Sequence, residues 1–170
     1  FDAATGKPLR EPSRSFSDAF GEELLALAKQ DERICAITAA MTSGTGLSAF
    51  AKELPSRFFD VGIAEGHAVA MAGGMAKQGL IPVFAVYSSF LQRGFDMLIH
   101  DISLDRLHAV FCVDRAGLVG ADGQTHHGCF DIGFLSAIPD MTVLCPASFS
   151  ELRSMLRYAI YNTAGPVAVR

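Results

Sequence analysis

Apolar residues along this chain recur in two rhythms, and the alternation between them predicts the architecture. Phe20, Leu24, Leu27 and Ala28 fall at helical spacing, with Ser15 as N-cap and Asp18 three residues on, so a first amphipathic helix is expected after Ser15. Strand-length apolar runs without polar alternation follow at Ile34–Thr38, 57–61, Ile81–Tyr87, 108–113, 141–145 and Val167–Val169. Between them lie helical patterns: residues 47–54, the small and apolar stretch after Gly62, and a stripe of Leu91, Phe95, Leu98, Ile99 and Ile102 that Ser88 or Ser89 would cap. A last helix, opened by the capping box Ser148-x-x-Glu151, turns Leu152, Met155, Leu156 and Ala159 inward. Such strands, separated by helices, predict an α/β fold: a doubly wound, mainly parallel sheet of about six strands with helices on both faces. In such folds ligands bind beyond the carboxyl ends of the strands, which directs attention to Glu65, to Tyr87 and Phe90, and to the loop after residue 113.

Glu65 is the anomaly of the pattern. The helix that it opens is small or apolar on every side and is therefore expected to be buried, with His67 also in its first turn. A buried carboxylate needs a partner or a proton, unless the first turn surfaces and Glu65 merely complements the helix dipole. The loop 114–128 is the second anomaly, longer than most connections in a compact domain. Its glycines permit unusual backbone angles and close approach of a ligand, while Arg115, Asp122, His126 and His127 supply charge and proton-transfer chemistry.

Composition narrows the classes. The 170 residues are 50% hydrophobic, enough for one domain with a real core, taken to span 15–170 after a linker or tail at 1–14. A net charge of −4 with scattered Lys and Arg argues against nucleic acid as a partner. No apolar run reaches the roughly 18 residues of a membrane span, and no leader is evident, so a cytoplasmic protein without membrane association is expected. Cys35, Cys112, Cys129 and Cys145 lack paired spacing and read as core thiols. Metal ligation is not expected, since His126-His127 has no carboxylate or cysteine at a familiar ligand spacing. Gly44-Thr45-Gly46 lacks the third glycine of a dinucleotide fingerprint, and neither a nucleophile elbow nor a phosphate-binding P-loop occurs. Polar groups at the sheet edge without a complete motif suggest half of an active site.

Taken together, D-V-G-I-A-E-x-H-A-V (60–69), Y-S-S-F-L-Q-R (87–93), His100-Asp101, D-R-A-G-L-V-G-A-D-G-x-T-H-H-G (114–128) and G-P-V-A-V-R (165–170) closely resemble the central domain of the 1-deoxy-D-xylulose-5-phosphate synthase family. These are thiamine-diphosphate enzymes of the transketolase superfamily, and the likeness runs from about Arg14 to the last residue. The resemblance implies a pyrimidine-binding domain. The family's first domain holds the diphosphate and Mg²⁺ through a G-D-G motif that is missing here, so the chain resembles a fragment or separate subunit, expected to be inactive alone. The parent enzyme would condense pyruvate with glyceraldehyde 3-phosphate, losing CO2 and feeding isoprenoid and thiamine precursors. A homodimer is expected, because the apolar cofactor face of a lone domain favours self-association.

By the same resemblance, Glu65 would bond the pyrimidine N1′ and share a proton with it, favouring the imino form that takes the thiazolium proton. Phe90 would stack on the pyrimidine, with Ile63 and Arg93 also at the cofactor. Tyr87, Arg115 and Asp122 would hold the acceptor's phosphate and hydroxyls, and His126 would contact the reacting intermediate or relay protons. Two departures stand out: Gly66 replaces the family's common glutamine, and Thr42 and Ser43 replace its usual Pro and Glu. The alternatives are the C-terminal half subunit of a transketolase, or a noncatalytic assembly module keeping the fold.

Overall fold

The computed structural model describes residues 2, 4–6, 14–120 and 122–170, so the tail expected at 1–14 lies mostly outside the described residues. Helix α1 (Phe16–Ala28) starts as expected at Ser15. The Ser15 hydroxyl accepts from the Asp18 N–H at 3.1 Å, and the Asp18 carboxylate accepts from the Ser15 N–H at 2.9 Å. The chain continues through β1 (Ile34–Thr38), α2 (Ser48–Glu53), β2 (Phe58–Asp60), α3 (Glu65–Lys77) and β3 (Ile81–Tyr87). Next come α4 (Ser88–Leu91), a 3₁₀ turn (Gln92–Gly94), α5 (Phe95–Met97), a π-helical turn (Leu98–Ser103), β4 (Val110–Asp114), α6 (Asp131–Ser136), β5 (Thr142–Leu144), α7 (Phe149–Tyr161) and β6 (Val167–Val169). The six strands form one sheet in the order β2-β1-β3-β4-β6-β5, every neighbouring pair parallel.

Both faces of this sheet are covered. Leu24, Leu27, Ile34, Phe50, Val83 and Leu156 belong to a core under α1, α2 and α7, while Ile37, Val69, Phe84, Leu98, Phe111 and Leu135 belong to a second core under α3, the 88–103 segment and α6. Each of these side chains is fully buried, worth about 1.5–3 kcal/mol apiece against exposure. Among the described residues no helix is long and apolar enough to cross a membrane.

Five local expectations are corrected. Helix α3 buries one face only: Glu65, Ala68, Val69, Ala72 and Gly73 point inward, whereas His67 and Gly74 are exposed. Alanines and glycines give a helix little sidedness, so the sequence could not tell the covered face from the open one. The stripe after Ser88 is not one helix but four short turns of different pitch. This segment passes so close to α3 that a Cβ on Gly73 would lie 2.7 Å from the Asp101 carbonyl oxygen, and one on Gly94 would lie 2.8 Å from Val69 Cγ2. Neither Ser88 nor Ser89 caps it, because both hydroxyls are buried beneath the segment without a partner among the described residues. At α7 the Ser148 hydroxyl accepts from the Glu151 N–H as expected, but the Glu151 carboxylate reaches one residue further back, to the Ala147 N–H at 2.7 Å. Finally, Cys35 and Cys112 are core thiols, but Cys129 and Cys145 are exposed because they lie on loops rather than in strands.

Candidate active site

The connections leaving β1 and β3 depart on opposite faces of the sheet, which makes the carboxyl ends of these neighbours a topological switch point. The candidate residues gather on this edge. Tyr87 closes β3 directly beside Asp114 at the end of β4, while Glu65 opens α3 just after β2.

At the acidic end, Glu65 is 3% exposed, and its Oε1 accepts a hydrogen bond from Arg93 Nη1 at 2.5 Å. Of the readings open for this carboxylate, pairing is the one the structure displays. The rest of the site is a row of flat side chains. The Arg93 guanidinium lies 4.9 Å from the Phe90 ring centroid, Phe90 stacks on Tyr87 at 5.9 Å and 20°, and the Arg115 guanidinium lies 4.7 Å from the Tyr87 ring. His126 sets its edge against both rings, 5.2 Å from Phe90 and 6.5 Å from Tyr87. Ile63, in the turn before Glu65, is 82% exposed and is not packed into the row. The hydroxyls of Ser88 and Ser89 are buried with no hydrogen-bond partner among the described residues, polar capacity that buried side chains seldom leave unused.

At the guanidinium end, Arg115 Nη1 lies 3.3 Å from Asp114 Oδ2 and Nε lies 3.4 Å from Asp122 Oδ2. Partial burial alone would lower the guanidinium pKa, but Asp114, Tyr87 and Asp122 outweigh it and raise the value, so the charge is secure. Burial raises the Tyr87 phenol, which stays protonated at neutral pH despite the cation over its ring. The loop is closed by a reciprocal pair of backbone bonds between Gly117 and Gly128, at 2.9 and 2.8 Å. Only glycine fits at 128, where a Cβ would lie 2.3 Å from the Arg115 carbonyl oxygen. The two loop histidines take different roles: His127 Nδ1 accepts from the Val119 N–H at 3.0 Å and braces the loop, while His126 faces the rings. Beside Arg115 opens a cavity of about 640 Å³, lined by Phe16, Ser17, Phe20, Asp114, Asp122 and Leu118 among others; neither Glu65 nor Phe90 borders it.

Three contributors were given no place in the site from the sequence. Asp60 pins the turn that delivers Glu65: its Oδ1 accepts from the Ala40 and Gly62 N–H groups at 2.8 and 3.0 Å, and its Oδ2 from the Thr42 hydroxyl at 3.0 Å. Burial pushes its pKa up, yet these donors prevail and hold the carboxyl below the usual range. Ser17 donates to Asp114 Oδ2 at 2.6 Å. Gly44 leaves the space that the Tyr87 hydroxyl fills, since a Cβ there would lie 1.9 Å from that oxygen. The signal for Asp60 was its place ahead of the glycine turn; Ser17 and Gly44 act through contacts that no local pattern records.

Comparison with known proteins places the whole chain in one family. The family model for the transketolase pyrimidine-binding domain matches residues 13–170. The 1-deoxy-D-xylulose-5-phosphate synthase of Chlorobaculum tepidum is 54% identical over 174 residues, and that of Clostridium kluyveri 54% identical over 170. Each alignment covers 100% of this chain but 27% of the relative, so the chain spans about a quarter of the length of these proteins. Among solved structures, a split-gene transketolase described as an inactive β4 tetramer superposes with a TM-score of 0.81 at 28% identity, covering 93% of this chain and 50% of that one. The transketolase of Campylobacter jejuni superposes with a TM-score of 0.82 at 21% identity, over 95% of this chain and 26% of that one, a likeness of fold alone. With a sheet-edge site of this construction and a family match over nearly its whole length, the chain belongs to the transketolase pyrimidine-binding domain family.

Proposed function

We propose that this domain forms the pyrimidine half of a thiamine-diphosphate site in a larger transferase, a 1-deoxy-D-xylulose-5-phosphate synthase joining pyruvate to glyceraldehyde 3-phosphate with loss of CO2. The observation that carries this reading is the buried Glu65 joined through Arg93 to the half-buried, stacked Phe90 and Tyr87 rings, in a chain 54% identical to named synthases along its full length.

The residues present suit the cofactor. A flat heteroaromatic ring needs an aromatic face, a carboxyl group for a ring nitrogen and further hydrogen-bonding groups; Phe90, Glu65 and the unpartnered Ser88 and Ser89 hydroxyls supply all three. When bound, thiamine diphosphate supplies the electron sink that makes decarboxylation possible. Glu65 Oε1 holds or lends a proton at the pyrimidine edge, which requires Arg93 to turn aside; the Arg93 side chain is 55% exposed and has room to do so. His126 moves a proton at the reacting end, with its Nδ1 steadied 2.9 Å from the Thr125 hydroxyl. Arg115 grips the acceptor phosphate and Asp122 an acceptor hydroxyl, both reached through the cavity beside them. Ile63 borders the cofactor from its exposed turn. Mg²⁺ and the diphosphate belong to a partner domain of the same cytoplasmic enzyme, which works as a homodimer.

Calorimetry with thiamine diphosphate and Mg²⁺ tests the reading. The chain alone binds weakly or not at all, binding appears when the diphosphate-binding domain is added, and Glu65→Ala abolishes turnover of the complemented pair. The likeness to a split-gene transketolase makes a half subunit of that enzyme the second reading. Activity with a ketose phosphate donor but none with pyruvate would establish the second reading over the first.

A further inference from the structure

We propose that Asp114, itself anchored by Ser17, is the positioning residue that sets the Arg115 guanidinium for an anionic acceptor. This rests on the assignment of Arg115 to the acceptor phosphate and goes beyond it by naming what aims that group.

Arg115 has φ +55°, a left-handed conformation that costs an L-residue about 1–2 kcal/mol and therefore needs support. A single carboxylate supplies it at both ends of the residue. Asp114 Oδ1 accepts from the Arg115 backbone N–H at 2.7 Å, while Oδ2 receives the Ser17 hydroxyl at 2.6 Å and Arg115 Nη1 at 3.3 Å. The backbone bond fixes the residue's turn, and the side-chain bond fixes the direction of the guanidinium across the Tyr87 ring. Ser17 is 97 positions from Asp114 in the chain, on a helix held by close packing. The first turn of α1 lies against the 44–46 turn so closely that a Cβ on Gly46 would lie 2.1 Å from the Ser17 carbonyl oxygen, and one on Gly21 would lie 2.0 Å from the Gly46 carbonyl oxygen. With Nη1 and Nε occupied by Asp114 and Asp122, Nη2 has no protein partner among the described residues and is the edge left for an anion. Asp114 acts through the guanidinium that it orients, so its removal disorders the grip without changing the chemistry at the other end of the row.

The test uses the full-length enzyme with two acceptors, glyceraldehyde 3-phosphate and unphosphorylated glyceraldehyde. Asp114→Asn is expected to raise KM for the phosphorylated acceptor about tenfold and Ser17→Ala about threefold, with far smaller changes for glyceraldehyde: the first removes the charge that faces the guanidinium, and the second removes one charge-assisted hydrogen bond that holds this carboxylate in place. Ser17→Thr, which keeps the hydroxyl, restores the KM. Equal losses on both acceptors, or no loss on either, would overturn the positioning role. Ser17→Ala deletes one oxygen from a half-buried position and carries the test if Asp114→Asn fails to fold. Arg115→Ala, measured alongside, separates the two layers. If it alone discriminates between the acceptors, the positioning role is wrong and the phosphate role stands; if it does not discriminate, both fall.

Discussion

The two ends of the site are built by different means. At the acidic end, Glu65 and Arg93 lie 28 positions apart, and one short ion pair joins a carboxylate 3% exposed to a cation 55% exposed. At the guanidinium end, Arg115, Asp114 and Asp122 are 31%, 22% and 37% exposed, and they share their charges among several longer contacts backed by α1 and two glycine turns. A buried group with one partner offers a large effect on removal and little redundancy. A half-exposed cluster distributes its load, so single changes there shift affinity rather than abolish chemistry.

This contrast orders the effects expected of substitutions. Largest is Glu65→Gln in the complete enzyme, where an amide can still meet Arg93 but cannot lend a proton; kcat falls on the order of 10³-fold while circular dichroism stays native. A smaller kcat loss than at Asp122→Asn would reverse the ranking of the two ends. Next is Gly44→Ala, whose methyl would meet the Tyr87 hydroxyl at 1.9 Å. Overpacking there is expected to lower stability by about 2 kcal/mol, and Tyr87→Phe in the same chain to recover much of it, as a double-mutant cycle in urea would report.

Asp60 brings a pH dependence to the acidic end. Its lowered folded pKa means that its stabilisation is fully present above the unfolded value of about 4 and is lost as pH falls through the lower folded value. Asp60→Asn should flatten the acid side of the stability profile; an unchanged slope would show that the pinned turn contributes nothing. Smallest is Gly66→Ala. The gain of about 1 kcal/mol in helix propensity is set against displacement of the Met97 methyl, so urea midpoints should differ little.

Much of the acidic end was legible because its parts lie in short, ordered motifs following strands, and a carboxylate in an apolar helix is conspicuous without any structure. The loop likewise drew notice to Arg115, Asp122 and His126 by its length and its glycines. What aims these groups was not legible. Ser17 meets Asp114 only once α1 is laid across the sheet, and Gly44-Thr45-Gly46, read as an incomplete nucleotide fingerprint, proves to be the turn that admits the Tyr87 hydroxyl and the first turn of α1. Hydrophobic spacing identified the inward face of the 88–103 segment but carried no record of its changing pitch or of its close approach to α3. The six-residue helix α6 went unread, since it follows directly on the long loop and no side chain caps it.

Gly66 and Met97 draw one further consequence from this packing. The terminal methyl of Met97 lies 2.7 Å from where a side chain at 66 would begin, so the thioether fills the volume that a glutamine at 66 would enter. Rotation of the methionine can make way for a methyl group but not for a whole glutamine side chain. The two positions are therefore epistatic: grafting glutamine into this chain should succeed with a shorter residue at 97 and fail without it, and homologues ought to exchange the two together.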